Sequence, residues 1–480
     1  MFCEADSGSG CAVVSVMKFG AAAVSEVIRL RETLRIVKAT AEEGPAAVIC
    51  TALTGITDAL IGAARAASRG DLAAAEDARR DLWGRHRTLA EKLVADDWER
   101  ETLYREWAEL LKTYDRITRS IATLGEYSPR SIDAVAVLGE RFVAHLLAVA
   151  LRQSGVAAQM IDASELIVTD DHFGNASPLM AETLERARSR LRPLLQSRIV
   201  PVITGYIGAT KAGVATTLGR GGGDYSATII GAAVEADEVT FWTDVDGILT
   251  ADPKIVAEAR SLPELSYAEA AEIAMLGAEV LHPRTLTPLA ELGIPLRIRN
   301  VARPSQPGTR VVSEPQPTGH AARAIISAPG FSLVSVAATG TSAADAWTPE
   351  LAARALARLA ETRIEILSFA QSFTERSLTV GVRASDDAFV RECLTDIFDR
   401  ELSDSAVRLV APSGPVALVA VVSAPSGNTL AARTLAALGN AGCHILTLAQ
   451  GVDSYHISFI VPEAEVTRVV RALHRELGLA

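Results

Sequence analysis

The sequence predicts an α/β fold followed by a smaller repeated unit, and three observations carry that prediction. Strand-length apolar runs alternate with helix-length amphipathic stretches over residues 12–60 and again over 132–312, the pattern of parallel strands joined by crossover helices. Four glycines fall within Gly219–Asp224, between the apolar run Ile199–Gly205 and an apolar helical stretch Tyr225–Val234. After a proline-rich stretch, two segments of about seventy residues repeat one order of strands and helices.

In chain order the first elements are a strand over Ala12–Met17, a helix over Ser25–Ala41, a strand over Ala46–Thr51 and a helix over Thr57–Ala67. Residues 72–122 lose the strand signal and become charged and Ala/Leu-rich at helical spacing, as in Leu103, Trp107, Leu110 and Leu111. They read as a helical hairpin inserted on the edge of the sheet, with Trp83, Trp98 and Trp107 as core anchors. Pro304, Pro307, Pro315 and Pro317 mark Pro304–Thr318 as linker. The first repeat has strands at Ser332–Ala337, Arg363–Ser368 and Ser377–Val382 with a helix at Pro349–Glu361. The second has strands at Val416–Ser423, His444–Ala449 and Ser454–Ile460, a helix at Thr429–Ala441 and a last helix from Glu463. Each is a β-α-β-β-α, ferredoxin-like pattern. The expected boundaries are a first domain over 1–312, a linker over 313–324, and units over 325–400 and 401–480.

Composition narrows the partners. A formal net charge of −11 without a long run of like charge speaks against nucleic acid or anionic membrane. The expected ligands are small molecules. Five cysteines, with no CxxC pair, fit a reducing compartment and neither a disulfide framework nor a zinc site. The N-terminus MFCEADSGSG lacks the basic start and apolar core of a signal peptide, so a cytoplasmic location is expected. His172 and His282 lack companions at metal-ligand spacing and read as structural.

The glycine run carries the chemistry. A turn this rich in glycine lets backbone N–H groups converge on phosphate oxygens, and the start of the following helix adds its positive dipole end. Arg220 and Asp224 place a cation and a carboxylate inside that turn. The outline is a phosphoryl-transfer site. Lys18 follows a strand and precedes Gly20, where a cation reaches transferring phosphates without being buried unpaired. Thr243 and Asp244 end an apolar strand, where open α/β sheets bind ligands.

The runs TTLGRGGGDYSA (Thr216–Ala227), WTDVDGILTADP (Trp242–Pro253), LSYAEAAEIAMLGAEVLHPRTLTP (Leu265–Pro288) and VMKFG (Val16–Gly20) resemble those of aspartate kinases in the amino acid kinase superfamily. The resemblance extends from about residue 13 to the C-terminus, and the two repeats are similar to that family's tandem ACT domains. The second repeat matches better, through Gly442–Leu446 and Gln450-Gly451; the loop Gly340–Ala344 of the first departs from the usual glycine-bearing turn.

The resemblance implies ATP and Mg²⁺, with the metal held on the nucleotide and no protein-only cage. It makes Lys18 and Asp224 catalytic. It assigns Thr57, Glu140 and Arg220 to the amino acid substrate, Glu140 for the amino group and Arg220 for a carboxylate. Gly20, Gly208, Gly221, Gly222, Thr243, Asp244, Lys254 and Glu279 fall to nucleotide and phosphate. It also implies a homodimer through the ACT units.

Two departures stand against full activity. Where the family has KFGGTSV this chain has Lys18-Phe19-Gly20-Ala21-Ala22-Ala23-Val24, losing two hydroxyls worth about 1 kcal/mol each in hydrogen bonding and a glycine whose backbone could require φ > 0. Glu279 replaces a family lysine; a charge reversal about 4 Å from a phosphate shifts the interaction by roughly 8 kcal/mol at an effective dielectric of 20. The reading is therefore an ATP-dependent kinase acting on the side-chain carboxylate of aspartate or a closely related amino acid. The alternatives are a kinase shifted to another amino acid in a specialised pathway, and a catalytically weak paralogue acting as an amino-acid-binding or regulatory protein.

Overall fold

The computed structural model describes residues 13–276, 281–316, 322–339, 349–362, 364, 366–372, 374, 376–410, 414–423, 429–450 and 455–479. The chain forms two compact units, one comprising Met1–Ile248, Ser261–Ala271 and Val280–Gln316, the other Leu249–Arg260, Glu272–Glu279 and Pro317–Ala480.

The first unit is built on an eight-stranded sheet in the order Ala158–Ile161, Val200–Thr204, Ala46–Cys50, Ser15–Phe19, Glu238–Thr243, Leu296–Asn300, Thr309–Val312, Glu264–Ser266. Neighbours run parallel except for Leu296–Asn300 against Thr309–Val312. Every residue of Ala46–Cys50 and Val200–Thr204 is buried, which is why these strands read as unbroken apolar runs: helices cover both faces of a parallel sheet. The antiparallel pair falls partly inside the stretch its prolines marked as linker. The connection turns at Val301–Ala302 and Pro304–Ser305, and it ends at Gly308, which has φ +68 and where a Cβ would lie 1.9 Å from the Ile298 carbonyl oxygen. A small sheet of Val168–Thr169, Ile207–Thr210 and Ala215–Thr217 stands beside the main one.

The helical insertion is a hairpin of Leu72–Leu93 and Asp97–Leu124. Asp71 and Asp96 cap its two helices by accepting the Ala74 and Glu99 N–H groups at 3.1 and 2.8 Å. It packs on the helices Ile56–Ala67 and Leu138–Gln153 and not on a strand edge. Trp107, fully buried, stacks on Phe142 at 5.1 Å between centroids and donates its indole N–H to the Phe142 carbonyl. Trp83 lies edge-on to Trp107 and is partly buried. Trp98 is 69% exposed; it sits in the first turn of its helix on the outward side and anchors nothing. The stretch Pro129–Gln153 is long and apolar enough to cross a membrane, but 83% of its most apolar window is buried within the fold.

The second unit carries a seven-stranded antiparallel sheet in the order Ser368–Ser372, Ser377–Arg383, Ala322–Ala338, Val416–Ser423, His456–Pro462, Thr447–Gln450, with Val407–Val410 also pairing Ala322–Ala338. The long strand Ala322–Ala338 serves both repeats. Its first half pairs Val416–Ser423, and its second half pairs Ser377–Arg383 and Val407–Val410. The register shifts between Ala328 and Phe331, where Gly330 has φ +80. One core lies under the helices Pro349–Glu361 and Asp387–Ile397, another under Thr429–Asn440 and Val466–Glu476. The second strand of each repeat begins later than its apolar run suggests. In the second repeat the His444 N–H is taken by the Glu465 carboxylate at 2.9 Å, and hydrogen bonding to the neighbouring strand begins with the Leu446 N–H to the Ile460 carbonyl at 2.8 Å. The loop Gly340–Ala344 and Gly451 lie outside the described residues.

Candidate active site

The centre of the first unit is an ion pair. Lys18 stands on the central strand Ser15–Phe19, one residue before its C-terminal end, between Ile49 and Phe241 of the neighbouring strands. Its Nζ lies 2.7 Å from Asp224 Oδ1, with the two side chains 14% and 19% exposed, and 5.9 Å from the centre of the Phe241 ring. Asp224 is in the first turn of the helix Gly222–Ala233, where the dipole favours a carboxylate. The C-terminal edge of a parallel sheet thus meets the N-terminus of a glycine-led helix.

Glycine permits that meeting. A Cβ on Gly223 would lie 2.6 Å from Thr51 Cγ2 and 3.7 Å from Lys18 Cε; one on Gly222 would lie 2.7 Å from the Tyr206 ring. Gly221 caps the helix at φ +72, which only glycine adopts without strain. The Gly222 N–H donates to the Gly219 carbonyl at 2.9 Å. That amide holds the turn, so the donors left facing outward are those of the first helical turn, beginning at Gly223. Gly20 caps the short helix Ala21–Val24 and donates to the Trp242 carbonyl at 3.1 Å. Ala21 opens that helix and is not among the residues at positive φ, so the strain that its replacement of glycine could have brought is absent. Gly208 is not part of this cluster. It lies on Ile207–Thr210 opposite Thr216, where a Cβ would meet Thr169 Cγ2 at 2.6 Å, so it is there for strand packing.

A second group lies around Glu140, in the first turn of Leu138–Gln153. Glu140 is 3% exposed. One oxygen accepts the Ala52 N–H at 3.4 Å and the other has no partner among the described residues. Burial pushes its pKa up to about 7, against the lowering pull of the amides. Gly139 brings this helix onto the strand-end loop: a Cβ there would lie 2.8 Å from Ala52 Cβ and 3.8 Å from Thr57 Oγ1. Thr57 is therefore close to Gly139, the residue before Glu140. Arg220 is exposed on the glycine loop, and no ion pair or hydrogen bond joins it to Glu140 among the described residues.

Thr243 ends the strand Glu238–Thr243, and its hydroxyl donates to Asp244 at 3.1 Å. Asn300 holds the following turn by donating to the Asp244 carbonyl and to Asp246 Oδ1. Lys254 is exposed and belongs to the second unit, where its N–H donates to Asp252 Oδ1 at 2.8 Å. Glu279 lies outside the described residues.

Three side chains at the site escaped the sequence. Tyr206 holds φ +70, a strained conformation for a bulky residue, with its N–H on Ser226 Oγ at 3.0 Å and its carbonyl accepting from Leu218. Burial raises its phenol pKa, as does the nearby Glu140 carboxylate. Asp133, 1% exposed, accepts from the Thr217 N–H and hydroxyl and from the Gly174 N–H, tying the strand before the glycine loop to the helix Pro129–Ala136. Thr51 presents its methyl to Gly223. No periodicity marks a tyrosine at positive φ, and a lone aspartate in a helical stretch gives no signal. The doublet Gly205-Tyr206 after a strand was the available hint.

The amino acid kinase family matches residues 14–300 and an ACT domain matches residues 426–477. The chain is 30% identical over 477 residues to the bifunctional aspartokinase/homoserine dehydrogenase 2 of Zea mays, covering 97% of this chain and 51% of the relative. It is 30% identical over 470 residues to aspartokinase 1 of Arabidopsis thaliana, covering 96% of this chain and 80% of the relative. Both relatives are chloroplastic. The chain spans about half the length of the bifunctional maize relatives. Escherichia coli aspartokinase III, solved with aspartate and ADP, superposes with a TM-score of 0.79 at 26% identity, covering 97% of this chain and all of that one. With a family match across most of its first three hundred residues and this likeness in fold, the chain belongs to the amino acid kinase family, carries a C-terminal ACT domain, and has aspartokinases as its relatives.

Proposed function

We propose that this chain is an ATP-dependent kinase that phosphorylates the side-chain carboxylate of aspartate, or of a closely related amino acid, to an acyl phosphate. The observation that carries the reading is the Lys18–Asp224 pair at 2.7 Å, set where a parallel sheet's C-terminal edge meets a glycine-led helix. Phosphoryl transfer asks for positioning and charge neutralisation more than for a strong base, and this junction supplies a cation beside outward-facing amides. The structural neighbour's bound aspartate and ADP support the same pairing of ligands.

In this reading Lys18 meets the transferring phosphoryl group, and Asp224 fixes the Lys18 ammonium. The unpartnered Glu140 oxygen takes the substrate's amino group, beside Thr57. Arg220, free to turn on an exposed loop, takes a substrate carboxylate, and Thr243 and Asp244 face the nucleoside. Magnesium bound to the nucleotide would add neutralising charge on the phosphates.

An ADP-release assay across a panel of amino acids, with hydroxylamine present, tests this. The expected result is aspartate-dependent ADP with a hydroxamate product. ADP without hydroxamate would move the acceptor to a hydroxyl, and no ADP with any amino acid would end the kinase reading.

We also propose that the second unit pairs with a second copy of itself. Phe369, Ile445, Leu446 and Leu448, all on or beside its outermost strands, are 36–42% exposed, a surface suited to burial. Light scattering of the full chain should give a dimer, and of a chain ending near residue 318 a monomer or aggregate; an unchanged dimer would refute it.

A further inference from the structure

The glycine loop is gripped from outside by one side chain, from the run Leu265–Pro288, to which neither the resemblance nor the proposed chemistry gave a role. Arg284 is the second residue of the helix Pro283–Ala290. Its guanidinium donates to the Leu218 carbonyl at 2.6 Å and the Arg220 carbonyl at 3.2 Å through one terminal nitrogen, and to Asn175 Oδ1 at 3.0 Å through the other. Its carbon lies 5.6 Å from the centre of the Tyr225 ring, one residue after Asp224. The loop's two ends and the helix behind it therefore converge on a single planar cation. Among the described residues no carboxylate pairs with Arg284, and every acceptor it touches is neutral.

The glycines of the loop match this grip. At Gly219, φ +72, a Cβ would lie 2.3 Å from Asn175 Oδ1 and 3.2 Å from an Arg284 nitrogen; at Gly221 it would lie 2.9 Å from His282 Cβ. Two of the loop glycines are thus glycine because the segment carrying Asn175 and the one carrying His282 and Arg284 press against them. Backbone carbonyls at Leu218 and Arg220 point outward to this cation, and a peptide plane whose carbonyl is held outward is restrained in where its N–H points.

We propose that Arg284 is the positioning residue of the phosphate loop: its fork fixes the Leu218 and Arg220 carbonyls against Asn175, and so orients the turn that leads into Gly223 and Asp224. It touches no reacting atom. The inference rests on the kinase reading for its catalytic consequence, and on geometry alone for the loop. A lysine in its place would keep the charge but could not span acceptors on two sides with a rigid planar fork.

The test uses the full chain as wild type, Arg284→Ala, Arg284→Lys and, as the milder break, Asn175→Ala. Hydrogen exchange of the 216–224 segment and steady-state kinetics with ATP, Mg²⁺ and aspartate are the readouts. Expected are faster exchange in 216–224 for both arginine variants and a fall in kcat of at least about tenfold with the KM for aspartate nearly unchanged. Added guanidinium should partly restore the alanine variant, whereas added ethylammonium should not. Asn175→Ala should move both readouts in the same direction by less, and it decides the matter if the arginine variants do not fold. Unchanged exchange, or faster exchange with unchanged kcat, would overturn the proposal. A wild-type chain without turnover would instead overturn the kinase reading, and exchange in 216–224 would then decide the clamp by itself.

Discussion

The Lys18 and Glu140 ends of the site handle charge in opposite ways. At one, Lys18 and Asp224 neutralise each other at 2.7 Å and are already in place. At the other, Glu140 is 3% exposed with one oxygen unpartnered, and burial has pushed its pKa up to about 7. A closed pair is preorganised for a charge that develops during reaction. A buried, incomplete carboxylate is poised for a cation that arrives with the ligand, because an unpaired charge there is costly until it is met. In the proposed reading, the contrast separates a transfer end from a recognition end.

The largest expected effect breaks the transfer end. Lys18→Ala and Asp224→Ala should each lower turnover at least about a hundredfold with the fold intact, and the double variant should lose much less than the product of the two, because the pair acts as a unit. Near wild-type turnover in either single variant would remove the pair from the chemistry. Gly223→Ala comes next. Its Cβ would stand 2.6 Å from Thr51 Cγ2, so the helix must shift from the sheet edge; a fall in kcat of roughly tenfold or more is expected, partly recovered in a Gly223→Ala, Thr51→Ser double variant. Additive losses would show that the methyl contact is not the cause.

Breaking the recognition end should show in binding. Glu140→Gln should raise the KM for the amino acid by about tenfold to a hundredfold, the worth of a charge-assisted bond, while kcat changes less. A loss confined to kcat would place Glu140 with the transfer machinery instead.

The smallest effect is in stability, and its sign follows from the raised pKa. Between the ordinary value of 4.5 and about 7 the folded chain holds a proton on Glu140 that the unfolded chain has released. Its contribution to stability is therefore fully present below 4.5, is lost as pH rises through that window, and stays lost above about 7. Relative to wild type, Glu140→Gln should be more stable at pH 8 than at pH 5, by up to about 3 kcal/mol. Urea midpoints at the two pH values check this. Amino acid affinity should run the other way and rise with pH through about 7, as the carboxylate that meets the amine forms. A flat profile in both would mean that Glu140 is not the group that titrates.

What the sequence could show divides along similar lines. The strands Ala46–Cys50 and Val416–Ser423 were legible because burial on both faces writes a continuous apolar run. The hairpin of residues 72–124 was legible from its helical spacing, but not the surface it packs on, since spacing says which face is apolar and not what meets it. Trp98 was misjudged for that reason: its residue type suggests burial, and its place in a capped first turn exposes it. Near the strand ends, Lys18, Asp224, Glu140 and Thr57 were singled out by residue type in a motif, and the structure brings Lys18 to Asp224 and Thr57 close to the residue before Glu140. Gly208 lies apart from them, packed against Thr169 of a neighbouring strand. Tyr206, Asp133 and Arg284 act through backbone conformation and long-range hydrogen bonds, to partners up to 109 residues away in the case of Arg284 to Asn175. The doublet Gly205-Tyr206 and the run around Arg284 marked two of these places, but nothing local named the partner that each one meets.

The strand Ala322–Ala338 has a consequence for how this chain could ever be divided. Its first half lies against Val416–Ser423, 85 to 101 residues later in the chain, while the first repeat is threaded between the two. A fragment starting at residue 401 would carry the helices and strands of the second repeat but not the ribbon that covers Val416–Ser423, all eight residues of which are buried. That bare edge would seek another ribbon, in a second molecule if none is supplied. The repeats look like beads in the linear sequence, yet they are sewn with one thread, and inheritance or exchange of the second without residues 322–328 would yield an aggregating piece and not a portable module.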